Sequence, residues 1–339
     1  MTNSDAENSL SPLPAISILL AVRNEGEHID ECLAAVVGLD YPRDLTEIIL
    51  VDGGSEDGTR EKIAEWQKRD SRIQLLDNPR ASTAAGMNIA VAAARFDLCL
   101  WISGHVKLES DHLKKCVATM QATGAAAVGG VVRTVGTTSI GRINAAVLSN
   151  RFGVGNAPHR VGAKSGWVPT VTMALYRKQA ILDVGGFAEQ LPRNQDNDLH
   201  DRMNRQGFRS YLDVDIRPTY LCRNTLGGLL RQAARNGFWN VMMTRLGYGG
   251  LSPRHFAPMA FVGVQLAALL CGIFYPPALW VFVGVAAAHL LAALAVALGI
   301  AVQQGFPWQW AAMPIWFILL HWTYGLSSWR GLLSPRADK

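Results

Sequence analysis

From Ile16 to about Met120 the chain alternates short apolar runs with amphipathic stretches, joined by polar or glycine-containing turns. Residues 16–22, 47–52, 72–76 and 97–102 read as strands, and 27–37, 57–68, 83–95 and 110–120 as the helices that follow them. Four βα units in succession predict a parallel, doubly wound α/β sheet. Residues 126–132 read as a fifth strand. Beyond it the pattern loosens, and a glycine-rich stretch at 153–166 reads as loops shaping a second substrate's pocket. Residues 226–246 form an amphipathic helix: Leu226, Leu230, Ala233, Gly237 and Val241 share one face, and Gln232, Arg235 and Trp239 share another. The simplest reading is a helix lying on a membrane surface; the alternative is that it roofs a site with its polar face. Residues 256–329 carry almost no charge and break at Tyr275-Pro276-Pro277 and at residues 303–307. This gives about three candidate spans, near 256–274, 278–301 and 308–326, each close to the ~20 residues that cross a bilayer.

The expected domains are therefore a disordered arm (1–13), an α/β catalytic domain (14–225), an interfacial region (226–255), transmembrane helices (256–329) and a tail (330–339). Trp280, Trp308, Trp310, Trp322 and Trp329 lie toward span ends, as interfacial tryptophans do. Three crossings would put head and tail on opposite sides of the membrane. Arg330, Arg336 and Lys339 favour an inside tail instead, so one segment is open to a re-entrant or interfacial placement.

Composition sharpens this division. The 339 residues are 49% hydrophobic and only 17% charged, with a net charge of +5. Arg223, Arg231, Arg235, Arg245 and Arg254 cluster just before the apolar region, which favours an anionic cytoplasmic leaflet. No lysine-arginine block or aromatic-basic interleaving supports a nucleic-acid partner. The five cysteines show no CxxC pair and suit reduced, structural thiols. The first apolar run is only strand-length, so no signal peptide is expected.

Candidate chemistry sits where the strands end. The second strand delivers Asp52 into Gly53-Gly54-Ser55-Glu56-Asp57-Gly58-Thr59, a tight turn opening a helix. The first ends in Val22-Arg23-Asn24-Glu25, which places Glu25 beside Asp52 if the strands are neighbours. The fourth ends in Ser103-Gly104-His105, a candidate metal or phosphate position. Asn78-Pro79-Arg80 precedes a helix whose N-terminal amides, with Arg80, suit a phosphate. In open α/β sheets ligands bind outside the carboxyl ends of strands. A run at 193–202 is rich in acidic residues and opens another helix. Taken alone it is a capped helix start.

Taken together, these segments resemble the family 2 glycosyltransferases, which have the GT-A fold, a Rossmann-like, mostly parallel sheet flanked by helices. The succinoglycan-type, ExoA-like exopolysaccharide transferases are the nearest pattern, and His321-Trp322-Thr323-Tyr324-Gly325 resembles that group's signature. The resemblance implies that Val22, Asn24, Glu25, Asp52, Gly53, Ser55, Arg80, Asn88, Ser103 and Gly104 bind a nucleotide-diphospho-sugar, with Glu25 and Asp52 at the base and ribose. It implies that His105 binds a divalent metal, Mn2+ or Mg2+, and that Asp196 is the general base. Gln195, Arg223, Gln232, Arg235 and Trp239 would lie near the acceptor or diphosphate. Ser103 stands where the family has aspartate, and Gln195 where it usually has glutamate. The implied place is the bacterial inner membrane, with several crossings and a cytosolic catalytic domain.

The reading is of an inverting sugar transfer to a polyprenyl-diphosphate-linked acceptor in exopolysaccharide or envelope glycan synthesis, in association with an assembly complex. Two alternatives stand beside it. One is a polyprenyl-phosphate monoglycosyltransferase, which needs only a lipid phosphate. The other is a non-catalytic nucleotide- or glycan-binding subunit, which Ser103 and Gln195 favour. A processive synthase would need more spans and a full Gln-x-x-Arg-Trp, whereas Asn236 follows Arg235 here.

Overall fold

The computed structural model describes residues 13–162, 164–304 and 308–335. The expected disordered arm lies outside them but for Leu13, as do the break at 305–307 and, in the tail, Arg336 and Lys339. The strands among the described residues are β1 (Ile16–Val22), β2 (Thr46–Asp52), β3 (Ile73–Asp77), β4 (Leu98–Ile102), β5 (Val106–Lys107), β6 (Ala127–Gly130), β7 (Arg133–Val135), β8 (Gly166–Val168), β9 (Leu175–Arg177), β10 (Ser210–Asp213) and β11 (Thr219–Leu221). Eight of them form one sheet in the order β3-β2-β1-β4-β9-β6-β10-β8.

β1 and β2 run parallel, and β1 and β4 likewise. All seven residues of β2 are buried, the signature of a strand covered on both faces. Alternation splits the side chains cleanly. Ile18, Leu20, Ile48 and Leu50 pack with Leu33 and Val117 of the helices Ile29–Val37 and His112–Thr123. Leu19, Ile49 and Val51 face Met87 and Val91 of the helix Thr83–Ala93 on the other side. The first four βα units thus form as their periodicity dictates. The fifth expected strand, β6, does not join β4 directly, because β9 inserts antiparallel between them. β9 is three residues long, too short to show a period in the sequence.

A second sheet, in the order β5-β11-β7, caps the same rim. Its register pairs Tyr220 with Val106, next to His105.

The helix Leu226–Arg245 is capped by Thr225, whose hydroxyl accepts from the Gly228 N–H at 3.1 Å. It packs along the last helix, Met313–Leu333, and Gly237 permits the approach: a Cβ there would stand 2.2 Å from the Tyr324 carbonyl oxygen. Arg245 donates to the carbonyls of Gly331 and Ser334 at 2.7 and 2.6 Å, satisfying that helix's C-terminal end.

Two helical segments, Pro253–Phe274 and Pro276–Gln303, are long and apolar enough to cross a membrane. They join at Tyr275-Pro276-Pro277. Leu270, Ile273, Phe274, Leu291, Leu298 and Val302 on them are all exposed, an apolar surface too extensive for contact with water. The expected third span does not reach that apolarity. Met313–Leu333 buries Met313, Phe317 and Leu320, lies against the helix Leu226–Arg245, and carries Ser327, Ser328 and Arg330 in its last turns.

Candidate active site

The loops that follow β1 and β2 are stitched together. The Asn24 amide donates to the Ser55 hydroxyl at 2.9 Å, and the Glu56 amide donates to Asn24 Oδ1 at 3.0 Å. Glu25 N–H donates to Thr59 Oγ1, and Gly26 N–H to Asp57 Oδ2. The Gly53 amide donates to the Val22 carbonyl at 2.9 Å. Asn24 adopts φ +53°, held by these bonds.

Asp52 is 1% exposed, and both carboxylate oxygens are engaged. Oδ2 accepts from the amides of Gly54 and Ser55 at 3.1 Å and from Arg60 at 2.8 Å, while Oδ1 accepts from the Ser55 hydroxyl. Burial alone would raise its pKa, but the Ser55 and Arg60 hydrogen bonds outweigh burial and hold it below the usual carboxylate range.

Glu25 does not turn toward Asp52. Its Oε1 lies 2.9 Å from His105 Nδ1, across the rim at the end of β4. Gly104 makes room for this contact: a Cβ there would stand 2.9 Å from Glu25 Cγ and 3.2 Å from Val22 Cγ1. A carboxylate only accepts, so the hydrogen of this bond sits on His105 Nδ1, and Nε2 is the ring nitrogen not used in it. Among the described residues, no three His, Cys, Asp or Glu side chains converge as a metal cage. One oriented imidazole fits an ion shared with a bound diphosphate, and not one held by the protein alone.

Tyr220 links this rim to the membrane-proximal side. The His105 ring meets it edge-on at 5.3 Å between centroids, and the Arg160 guanidinium lies over it at 5.0 Å. Arg193 is close enough to Tyr220, Arg223, Arg235 and Asp196 for their fields to act on it, and its pKa is lowered first by burial and then by Arg235.

The acidic loop is fixed by the helix Leu226–Arg245. Arg193 donates to Asn236 Oδ1 at 2.5 Å, and Asn194 donates to Asn240 Oδ1 at 2.6 Å. Asn240 in turn bonds the Tyr324 hydroxyl of the last helix. Asn194 (φ +61°) ends the loop and the helix Gln195–Arg205 begins. Asp196 accepts from its neighbour Asn197 at 2.9 Å, and burial pushes its carboxyl upward against that bond and the nearby Arg193 charge. The other members of the run are structural. Asp198 pairs with Arg202 at 2.7 Å, and His200 is sealed among Tyr176, Ser210 and Val171, its pKa pushed down to about 4 by burial.

Asp196 lines a cavity of about 520 Å³ between the α/β domain and the apolar helices. Its walls come from the 151–160 segment, from Gln232, Asn236 and Asn240, and from Pro258, Phe261 and Tyr324. The glycine-rich stretch thus forms a cavity wall. Of the residues predicted beside the acceptor, only Gln232 joins Asp196 in it. Arg235 and Arg223 are exposed near Arg193, and Gln195 and Trp239 are absent from the wall; Trp239 packs on Phe238 at 5.6 Å. Asp52, Glu25 and His105 are not wall residues of this cavity, and Tyr220, between His105 and Arg160, bridges the two ends of the site.

Arg80 and Asn88 do not stand free. Arg80 pairs with Glu189, and Asn88 donates to Glu189 Oε1 and to the Phe187 carbonyl, both at 2.9 Å. Asn88 is thereby a clamp on the Gly185-Gly186-Phe187 turn. Ser103 offers its carbonyl to Cys32 Sγ at 3.6 Å. The sequence reading missed Glu189, Tyr220, Asn240 and the arginines of the cavity. The polar stripe Gln232, Asn236 and Asn240, four residues apart, was the available signal for the helix face.

Residues 17–185 match the family model "Glycosyl transferase family 2". The chain is 31% identical to "Succinoglycan biosynthesis protein ExoA" of Rhizobium meliloti (strain 1021), with 98% of each chain covered. It is 24% identical to a Methanococcus voltae protein, "Dolichyl N-acetyl-alpha-D-glucosaminyl phosphate 3-beta-D-2,3-diacetamido-2,3-dideoxy-beta-D-glucuronosyltransferase", covering 94% of this chain and 97% of that one. In fold it is similar to the mannosyltransferase PcManGT from Pyrobaculum calidifontis in complex with GDP-Man and Mn2+, at TM-score 0.59 and 19% identity, covering 95% and 88% of the two chains. The chain belongs to glycosyl transferase family 2 and is a glycosyltransferase of GT-A fold.

Proposed function

We propose that this glycosyltransferase moves a sugar, with inversion, from a nucleotide-diphospho-sugar to a saccharide carried on a polyprenyl diphosphate. The observation that carries the reading is the placement of Asp196, a carboxylate raised by burial, in a cavity shared by the head and the apolar helices. An acceptor whose lipid lies in the bilayer reaches the base there without leaving the membrane. Asp196 takes the proton of the acceptor hydroxyl, and that oxygen bonds to the anomeric carbon. The bond from that carbon to the diphosphate oxygen breaks on the opposite face. General-base action of this kind is worth about 10²–10⁴-fold in rate.

The leaving diphosphate gathers negative charge, and Arg193, Arg223 and Arg235 lie together where that charge would develop. The nucleotide would occupy the rim of β1, β2 and β4, against Val22, Asn24, Gly53, Ser55 and Gly104. Asp52, buried and fully engaged, keeps the shape of that rim through Ser55 and Arg60 instead of reaching the base itself. Mn2+ or Mg2+ would neutralise the diphosphate when bound, with His105 as its protein-side ligand and Glu25 orienting the ring. PcManGT, of the same fold, was solved with Mn2+ and GDP-Man.

Two crossings, by the segments Pro253–Phe274 and Pro276–Gln303, would return the chain to the side it left, so that Arg330 and the catalytic head share the cytosolic face of the bacterial inner membrane. The relative named for succinoglycan biosynthesis supports a place in exopolysaccharide or envelope glycan assembly, with partner proteins of that assembly.

The test is nucleoside diphosphate release from a panel of nucleotide sugars, on membranes given polyprenyl-diphosphate-linked saccharides and Mn2+. Product from polyprenyl phosphate alone would make the enzyme a monoglycosyltransferase. No release from any donor would leave a binding subunit. Full turnover by Asp196→Asn would remove the base assignment.

A further inference from the structure

The cavity carries a charge imbalance that proton removal by Asp196 does not use. Arg151, Arg160 and Arg254 line it, and Asp196 is the one carboxylate in its wall. Among the described residues, none of these three arginines makes an ion pair, whereas seven other arginines pair with Asp or Glu. Their contacts are neutral. Arg160 donates to Thr134 Oγ1 at 2.8 Å and lies over Tyr220, and Arg254 donates to the Asn156 carbonyl at 2.9 Å. Beside them, His159 Nδ1 and Gln232 Oε1 are buried without a hydrogen-bond partner. Arg160 and Arg254 are partly buried and Arg151 stands at the exposed edge; partly buried guanidinium groups without a counter-charge are costly, and an arginine fork matches phosphoryl oxygens.

The same cavity changes character toward the apolar helices, where Pro258, Phe261 and Leu320 complete the wall. A ligand that satisfies both ends has an anionic phosphoryl head and a hydrocarbon tail. A nucleotide does not suit it, because the rim of β1 and β2 contributes nothing to this wall.

We propose that Arg151, Arg160 and Arg254 form a site for the phosphoryl group of an isoprenoid lipid phosphate or diphosphate, separate from the place of the donor's diphosphate, with the lipid tail leaving along Pro258, Phe261 and Leu320. This rests on the reading that the acceptor is lipid-linked, and it names the residues that hold the lipid end. The site fixes the acceptor by its charge, so the sugar hydroxyl is presented to Asp196 from the membrane side.

The full-length protein in phosphatidylcholine nanodiscs tests this, by direct binding of undecaprenyl diphosphate, undecaprenol and inorganic diphosphate. Undecaprenyl diphosphate is expected to bind at least ~10-fold more tightly than either of the others, since one charge-assisted hydrogen bond is worth about that factor. Arg254→Gln and Arg151→Gln are each expected to lose ~10-fold in that affinity with an unchanged thermal unfolding midpoint. Equal binding of undecaprenol, equal binding of inorganic diphosphate, or indifference to both substitutions overturns the site. If arginine-dependent lipid binding holds but no sugar reaches any lipid-linked saccharide, the transfer reading falls and the site stands. If transfer proceeds while lipid affinity ignores the arginines, the site falls and the transfer reading stands.

Discussion

Glu25 and His105 allow two functions to be separated by one substitution. A Glu25 that contacts the donor's base or ribose would, when changed to Gln, weaken the donor at every metal concentration. A Glu25 that orients His105 would weaken the metal. The structure favours the second, with Oε1 at 2.9 Å from Nδ1 and side chains only 19% and 22% exposed. A hydrogen bond to a charged group contributes about 1.5–3 kcal/mol. Partial exposure screens this pair toward the lower end. Loss of the outer partner of a metal-ligating histidine typically costs ~10–100-fold in metal affinity, the same energy expressed as a ratio. Glu25→Gln keeps an oxygen for Nδ1–H and is expected near ~10-fold; Glu25→Ala frees the ring and is expected nearer ~100-fold. Mn2+ binding followed by electron paramagnetic resonance, with nucleoside diphosphate present and no acceptor, reads this without turnover. Unchanged Mn2+ affinity in Glu25→Ala, together with a raised donor KM at saturating Mn2+, would refute the orienting role.

Asp196→Asn is expected to lower kcat by about 10²–10⁴-fold with little change in donor affinity, read by single-turnover transfer. The base works only when ionised and its pKa is raised, so the acid limb of kcat/KM should fall above the ordinary carboxylate range and vanish in the variant. Asp52 has the opposite shift: its stabilising contribution is present above the unfolded-state pKa and is lost as pH falls through the lowered folded-state value. Asp52→Asn should cost about 1–3 kcal/mol and flatten the acid dependence of thermal unfolding. Gly237→Ala places a methyl against the Tyr324 carbonyl, where it stands at 2.2 Å before relaxation, and should cost about 1–3 kcal/mol. An unshifted melting curve would show that the two helices separate freely.

What the sequence made legible follows from how local each feature is. β1, β2 and β4 announce themselves because each is a continuous buried run whose polar end is contiguous with it. The rim residues Val22, Asn24, Gly53, Ser55 and Gly104 are therefore read from short segments and come together once neighbouring strands pair. Glu25 shows the limit. Its chain position places it at the end of β1, between the ends of β2 and β4, but which neighbour its side chain joins depends on Gly104, which clears the way to His105, and on Ser55 and Arg60, which already occupy Asp52. β9 and β11 are three residues each, below any period, so neither the antiparallel insertion nor the position of Tyr220 was readable.

The cavity was hidden for a different reason. Its wall draws on the 151–160 segment with its two short helices, the start of the helix Gln195–Arg205, one face of Leu226–Arg245 and three helices of the apolar region. The 151–160 segment, the helix Gln195–Arg205 and the C-terminal helices are far apart in sequence, and what assembles them is helix packing at Gly237 and the bonds from Arg193 and Asn194 to Asn236 and Asn240. That dependence has a mechanistic consequence. The proposed base is held by the same helix that packs the apolar segments against the head, so the position of Asp196 is set jointly by the α/β domain and by the C-terminal helices. An isolated α/β domain would lose the Asn236 and Asn240 anchors together, and with them the cavity wall proposed to take the acceptor.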